Sequence, residues 1–266
     1  MVHPEQITNQ VKELVHETGK YILQEWNKLT TENVQSKGLH DFVTHVDMAS
    51  ERQLVEGLKK ILPQAGFIVE EETIRKKGDQ YNWIVDPLDG TTNYIHGLTP
   101  FSISIALSQN GQIISGVVYE LGFGELFEAW KGSPARMNGK EIQVSQVPNI
   151  QESIIATGFP YNDFSRLKPY LGSLEYFMRN THGIRRFGSA ATDLCYTACG
   201  RFEAFYEYSL KPWDVAAGSF IVQQAGGKVS DFSGGDRYIF NQEMVAASDQ
   251  VFDDFLATIK EYLQPA

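Results

Sequence analysis

Cysteine is scarce. Only Cys195 and Cys199 occur in 266 residues, so neither a disulfide framework nor a cysteine-rich zinc site organises the chain. Their i, i+4 spacing fits one face of a helix, where two reduced, buried thiols are the simplest reading. Long apolar runs are missing as well, since none approaches the ~20 residues needed to span a bilayer. The opening MVHPEQITNQVKEL has no basic patch followed by an apolar stretch, which excludes a secretory leader and makes the cytoplasm the expected location. The six histidines are scattered, and His16-Glu17 has no second histidine four positions after the first, so a zinc-protease helix is absent. Basic residues are in deficit too. The 23 Lys and Arg against 33 Asp and Glu leave a net charge of −10, which disfavours a nucleic-acid backbone or an anionic membrane as the main partner.

What remains is ordinary globular composition, 42% hydrophobic and 21% charged, in a chain long enough for one or two domains. The surplus of acids leaves one use open, the holding of hard cations. Apolar residues at helical spacing predict a long helix over 5–30 and a second over about 47–62, stopped by Pro63. The period then changes. Strands are expected at 67–69, 83–85, 102–107, 113–119 and 125–130, punctuated by Gly111, Gly122 and Gly124, with a tight turn at Asn138-Gly139. From 146 onward strands and helices alternate, through helices at about 163–179, 189–198, from Pro212, and 252–263. The expected fold is α+β, an αβαβα layered sandwich. Residues 1–145 form a half with two helices and a largely antiparallel sheet. Residues 146–266 form a half with a second, mixed sheet and its helices, and a cleft lies between the halves.

The most informative segment is Trp83-Ile84-Val85-Asp86-Pro87-Leu88-Asp89-Gly90-Thr91-Thr92-Asn93. A hydrophobic strand would deliver Asp86 at its end, and Pro87, lacking an N–H, would stop the ladder there. Asp89 can return to the same side of the turn. Two carboxylates and the freed Leu88 carbonyl would make an all-oxygen site suited to Mg²⁺. If a helix starts after Gly90, its free N–H groups can receive a phosphate. Asp-Pro-Leu-Asp-Gly alone reads more readily as an acidic turn after a strand.

The longer string Asp86–Asn93 resembles the metal-binding motif of the inositol monophosphatase family, and the resemblance runs along nearly the whole chain. Asp41-Phe42-Val43-Thr44-His45-Val46-Asp47 is similar to its D-x-V-T-x-x-D stretch, and Glu70-Glu71-Glu72-Thr73 to its G-E-E-[ST] motif. Gly188-Ser189-Ala190-Ala191 resembles its G-[ST]-A-A turn, and Trp213-Asp214-Val215-Ala216-Ala217-Gly218 its second metal motif. The resemblance implies a Mg²⁺-dependent, lithium-sensitive phosphomonoesterase using two to three ions. Glu71, Asp86 and the Leu88 carbonyl would hold one ion; Asp86, Asp89 and Asp214 would hold another. Thr91, paired with Asp47, would orient the attacking water, and Gly90, Thr91 and Thr92 would contact the phosphate.

One departure matters. The family's glycine is replaced by Glu70, giving three consecutive acids. Aligning Glu72-Thr73 with the motif's end assigns Glu71 to the metal, while strand alternation sets Glu70 and Glu72 on the opposite face. The two extra acids fit a solvated edge, and Lys37 fits either a site lysine or a solvated loop. The resemblance implies that Glu207 and the Ala190 N–H bind ring hydroxyls of a polyol, so the expected substrate is myo-inositol 1-phosphate. Histidinol phosphate, fructose 1,6-bisphosphate and NADP are the alternatives within the family, and a non-catalytic regulator on the same fold is the alternative outside it. A homodimer is expected by the same resemblance.

Overall fold

The computed structural model describes residues 2–28, 34–36, 42–74, 76–161 and 163–264. Helix α1 (Pro4–Trp26) opens on a proline, where the missing N–H costs nothing, and buries Ile7, Val11, Val15 and Ile22 on one side. It ends four residues before the expected limit. The short strands β1 (Val34–Ser36) and β2 (Phe42–Thr44) pair antiparallel and lead into α2 (His45–Ile61). Helix α2 buries Val46, Leu54, Val55 and Leu58 together with two acids, Asp47 and Glu51.

Next come β3 (Gly66–Val69), β4 (Tyr81–Asp89), the five-residue helix α3 (Thr91–Ile95), β5 (Ser102–Gln109), β6 (Gln112–Glu120), β7 (Glu125–Trp130), β8 (Arg136–Met137) and β9 (Lys140–Glu141). The strands form a seven-stranded sheet in chain order. It is antiparallel except for β3, which runs parallel to β4. Asn110-Gly111 (φ 52° and 81°) and Asn138-Gly139 (φ 49° and 77°) close the two-residue hairpins β5–β6 and β8–β9, as turns requiring two positive φ angles demand.

The second half contains β10 (Ile154–Thr157), α4 (Leu167–Asn180), β11 (Gly183–Arg185), α5 (Ala190–Ala198), β12 (Ala204–Tyr208), α6 (Pro212–Gln224), β13 (Lys228–Ser230), β14 (Glu243–Ala247) and α7 (Phe252–Leu263). Its sheet has the order β11-β10-β12-β14-β13. Strand β10 is parallel to β11 and β12, while β14 is antiparallel to both its neighbours.

The layers follow from where each element can hide its apolar surface. Helices α1 and α2 cover one face of the first sheet, and α4 and α7 cover the outer face of the second. Helices α5 and α6 lie between the sheets, in a core shared by Ile84, Val118 and Phe127 on one side and Phe205, Met244 and Ala246 on the other. Helix α6 is buried continuously from Val215 to Val222, the pattern of a helix with sheet on both sides. The fold is the expected α+β sandwich with αβαβα layers. Among the described residues no helix is long and apolar enough to cross a membrane.

Strand β4 corrects one sequence expectation. It does not stop at Asp86 but continues to Asp89 through a bulge. Asp86 opposes Ser104 and Asp89 opposes Ser102, so three steps on β4 match two on β5. Pro87 sits inside that irregularity, where no ladder N–H is needed. The inner layer also sets a packing limit. A Cβ on Gly218 of α6 would lie 2.7 Å from the Leu194 Cβ of α5. Gly218→Val should therefore push the two helices apart and lower the unfolding free energy by about 2–3 kcal/mol, read by urea denaturation.

Candidate active site

Trp83, Ile84 and Val85 are pulled into the core, which fixes the exit of β4 and holds Asp86 at 2% exposure. Asp86 Oδ1 accepts the Leu88 N–H at 2.9 Å, folding the Pro87 step back on itself. Three residues later Asp89 crosses to the second half. Its Oδ2 accepts the Ser189 hydroxyl at 2.6 Å and the Ala191 N–H at 2.8 Å, and the Ala190 N–H bonds to the same carboxyl. Asp89 thus sits on the N-terminus of α5, where helix geometry leaves N–H groups unpaired and favours negative charge. Asp214 lies in the first turn of α6, and its Oδ2 accepts the Lys211 N–H at 2.7 Å.

These groups line a cavity of about 300 Å³. Glu70, Asp86, Leu88, Asp89 and Gly90–Thr92 enter from the first half, and Asp214 from α6. Thr91 Oγ1 stands between two acceptors, Asp47 Oδ1 at 3.1 Å and the Leu88 carbonyl at 2.9 Å. Gly90 adopts φ 92°, and a Cβ there would come within 3.0 Å of the Pro100 carbonyl. Only glycine lets the chain turn this tightly into α3.

The fourth acid lining the cavity is Glu70, where the sequence expectation was Glu71. Parallel pairing sets Val69 level with Val85, so the next residue, Glu70, reaches the level of Asp86 and bonds to its carboxyl. Glu71 is not among the cavity-lining residues; its N–H donates to Glu51 Oε2 at 2.7 Å. Glu72 is exposed, in left-handed backbone with φ 51°. Lys37 and Asp41 lie outside the described residues.

Crowding shapes the electrostatics. Burial, then the negative charges of Asp214 and Glu71, holds Glu70 well above the usual carboxyl range. Burial, then Glu70, Asp89 and Asp214, does the same to Asp86. Burial raises Asp89 to about 6 against the hydrogen bonds from Ser189, Ala191 and Ala190. Burial and Asp89 raise Asp214 to about 7. Among the described residues no three such side chains are already gathered as a metal cluster, so the fit to a cation rests on donor chemistry. Four mutually repelling carboxyls and a carbonyl, with no soft ligand beside them in the cavity wall, form a hard-oxygen set that suits Mg²⁺.

The same cavity is also lined by Glu207, Tyr161 and Arg186. Glu207 is 8% exposed, and burial, then Asp214, raises its carboxyl well above the ordinary range while Arg186 opposes the shift. Its seat exists because residue 158 is glycine, since a Cβ there would lie 2.0 Å from the carboxyl. The Ala190 backbone lines the cavity, with its N–H already engaged by Asp89.

Arg186 lines the cavity although no motif in the sequence singles it out. Its guanidinium donates to the Tyr161 hydroxyl and lies 5.5 Å from the ring centres of both Phe159 and Tyr161. The one signal was the Arg185-Arg186 pair before the Gly188-Ser189 turn, because strand alternation sends one of two adjacent side chains inward.

A profile of the inositol monophosphatase family matches residues 3–264. The Nus factor SuhB of Pseudomonas aeruginosa is 38% identical over 253 residues, covering 93% of each chain. Among solved structures, the extragenic suppressor protein suhB of Bartonella henselae superposes with a TM-score of 0.90 at 35% identity, over 96% of this chain and 99% of that one. The inositol monophosphatase of Anabaena gives 0.85 at 31% identity, over 97% and 96%.

The raised carboxyls make stability depend on pH in a defined sense. From about pH 4 to 7 the metal-free folded protein retains protons on Asp89 and Asp214 that the unfolded chain, with an aspartate value of 3.8, releases. Stability therefore falls as pH rises through that window. Thermal melts of metal-free protein should show a lower midpoint at pH 8 than at pH 5. Added Mg²⁺ should raise the midpoint far more at pH 8; equal Mg²⁺ effects at both values would contradict the cluster's role.

Proposed function

The chain belongs to the inositol monophosphatase family, and from that premise we propose that it hydrolyses a polyol phosphate monoester, foremost myo-inositol 1-phosphate. Mg²⁺ would be held by Glu70, Asp86, the Leu88 carbonyl, Asp89 and Asp214. When bound, two to three such ions would acidify a water and neutralise charge on the phosphate and the departing oxygen. The observation that carries this reading is the Thr91 hydroxyl, hydrogen-bonded to buried Asp47 beside four crowded carboxyls.

The chain's own groups divide the remaining work. Thr91 Oγ1 can accept a proton from a water lying beside it while passing its own proton to Asp47 Oδ1, which is 1% exposed and reached directly. Gly90, Thr91 and Thr92 face the cavity at the start of α3 and would receive the phosphate oxygens. Glu207 would accept hydrogen bonds from the alcohol's hydroxyls, and Arg186, lining the same cavity, would donate to them.

The helix α4 exposes Leu167, Leu171 and Met178 along one side, which supports the expected contact between two copies of the chain. A second, regulatory reading draws on the name Nus factor carried by the P. aeruginosa relative. That name leaves the expectation that a nucleic-acid partner is unlikely, which rested on net charge alone, without support.

Two measurements test the catalytic reading. Across inositol 1-phosphate, fructose 1,6-bisphosphate, NADP and histidinol phosphate, kcat/KM should be highest for inositol 1-phosphate. No turnover of any of them with Mg²⁺ would leave the regulatory reading in place. Among single variants, Glu70→Gln, Asp89→Asn and Asp214→Asn should each lower kcat by about 100-fold or more, and Glu71→Gln by less than about tenfold. The opposite ranking of Glu70 and Glu71 would return the ligand role to Glu71.

A further inference from the structure

The segment that carries Glu70 leaves its sheet one residue too early to be held by it. Strand β3 ends at Val69, and three residues on, Glu72 turns through left-handed backbone. Glu70 is hydrogen-bonded to Asp86 but also faces the negative charges of Asp214, Glu71 and Asp47, which act to push it away from the cavity. Something must hold residues 70–73 in place.

That holder is on α2. Glu51 is fully buried, at 0% exposure, and spends both carboxylate oxygens on this segment. Oε2 accepts the Glu71 N–H at 2.7 Å, and Oε1 accepts the Thr73 N–H at 2.8 Å. Two charge-assisted bonds thus straddle the turn at Glu72. One helical turn earlier on α2, at i−4, stands Asp47, the partner of Thr91. The helix therefore presents two buried acids about 6 Å apart along its axis. One fixes the hydroxyl that would handle the water, and the other fixes the backbone next to Glu70.

We propose that Glu51 is a positioning residue that sets the Mg²⁺ affinity of the site by holding Glu70 against its acidic neighbours. The proposal rests on the reading of Glu70 as a metal ligand. A buried carboxylate is an expensive way to satisfy two N–H groups, but it fixes both at short distance from one rigid helix. A loose segment would have to be ordered each time an ion bound, at a cost in affinity.

The molecule supplies its own control. Glu203, 5% exposed, performs the same chemistry in the other half, accepting the Ile154 N–H at 2.6 Å, and it is not among the cavity-lining residues. Removing that carboxylate perturbs a buried clamp without touching the Glu70 segment.

The test is Mg²⁺ binding to resting, substrate-free protein by isothermal titration calorimetry, with thermal midpoints recorded in the absence of metal. Glu51→Gln keeps one acceptor and should weaken Mg²⁺ binding about tenfold. Glu51→Ala should weaken it further, and Glu203→Gln should leave it within about twofold of the parent even where it lowers the midpoint as much. If Glu51→Gln does not fold, Glu51→Asp, which keeps the charge on a shorter stem, takes its place with the same expected direction. Parental Mg²⁺ affinity in the Glu51 variants, or an equal loss in Glu203→Gln, overturns the proposal. Glu70→Gln is titrated in parallel. Parental affinity there overturns both the ligand reading and this one, whereas loss in Glu70→Gln with none in the Glu51 variants overturns this one alone.

Discussion

The cavity depends above all on one contact, the Asp89 carboxylate seated on the N-terminus of α5. Asp89 belongs to the end of β4 in the first sheet, and the helix belongs to the second half. Three donors, the Ser189 hydroxyl and the N–H groups of Ala190 and Ala191, converge on that carboxyl. Ser189 works in both directions, because its oxygen also accepts the Thr192 N–H and caps the helix. The two halves are therefore registered through an ionisable group rather than through apolar packing alone. Any displacement of α5 against β4 would leave a buried carboxylate and several helix N–H groups without partners.

That constraint explains why the remaining acids can be gathered at all. Each is delivered by the end of a rigid element: Glu70 just past β3, Asp86 and Asp89 on either side of the β4 bulge, and Asp214 in the first turn of α6. Helix α6 cannot slide, because it is buried between two sheets and because Gly116 and Gly218 bring its neighbours close. Mutual repulsion among the carboxyls is thus carried by the whole sandwich. In the metal-free protein, burial raises the proton affinity of Asp89 and Asp214, and at Asp214 the charge of Asp89 adds to it.

Legibility in the sequence followed the range of the interaction involved. The Asn110-Gly111 and Asn138-Gly139 turns were readable because positive φ is a property of those residues themselves. So were the long helices, whose apolar spacing repeats within one element, and the Asp86–Thr92 run, whose parts touch one another. Choosing between Glu70 and Glu71 was different. It depends on which residue of β3 pairs with which residue of β4, and the 11 residues between those strands set no such register. The continuation of β4 past Pro87 likewise depends on its partner β5, which alone shows that the extra residue is a bulge. Arg186 escaped because the neighbours that define it, Phe159, Tyr161 and Glu207, come from two other strand ends.

The same long-range assembly brings the acid cluster, Glu207 and Arg186 into one cavity, and this bears on the proposed substrate. Four acids outnumber Lys211, whose charge acts on Asp214 from the same cavity wall, so an anion is best received together with cations. Glu207 and Arg186 line the same space, close enough that the Arg186 charge opposes the upward shift of the Glu207 carboxyl, but they are not paired as a salt bridge among the described residues. A hydroxyl can donate to one and accept from the other, so neighbouring hydroxyls satisfy both without bringing in net charge. A second phosphate would gain Arg186 but meet Glu207 and, behind it, the buried Asp193. Under the proposed function, that combination of an acid and a guanidinium would suit a neutral polyol carrying a single phosphate better than a bisphosphate. The seat for that balance is made by an absence, since any side chain at Gly158 would occupy the place of the Glu207 carboxyl.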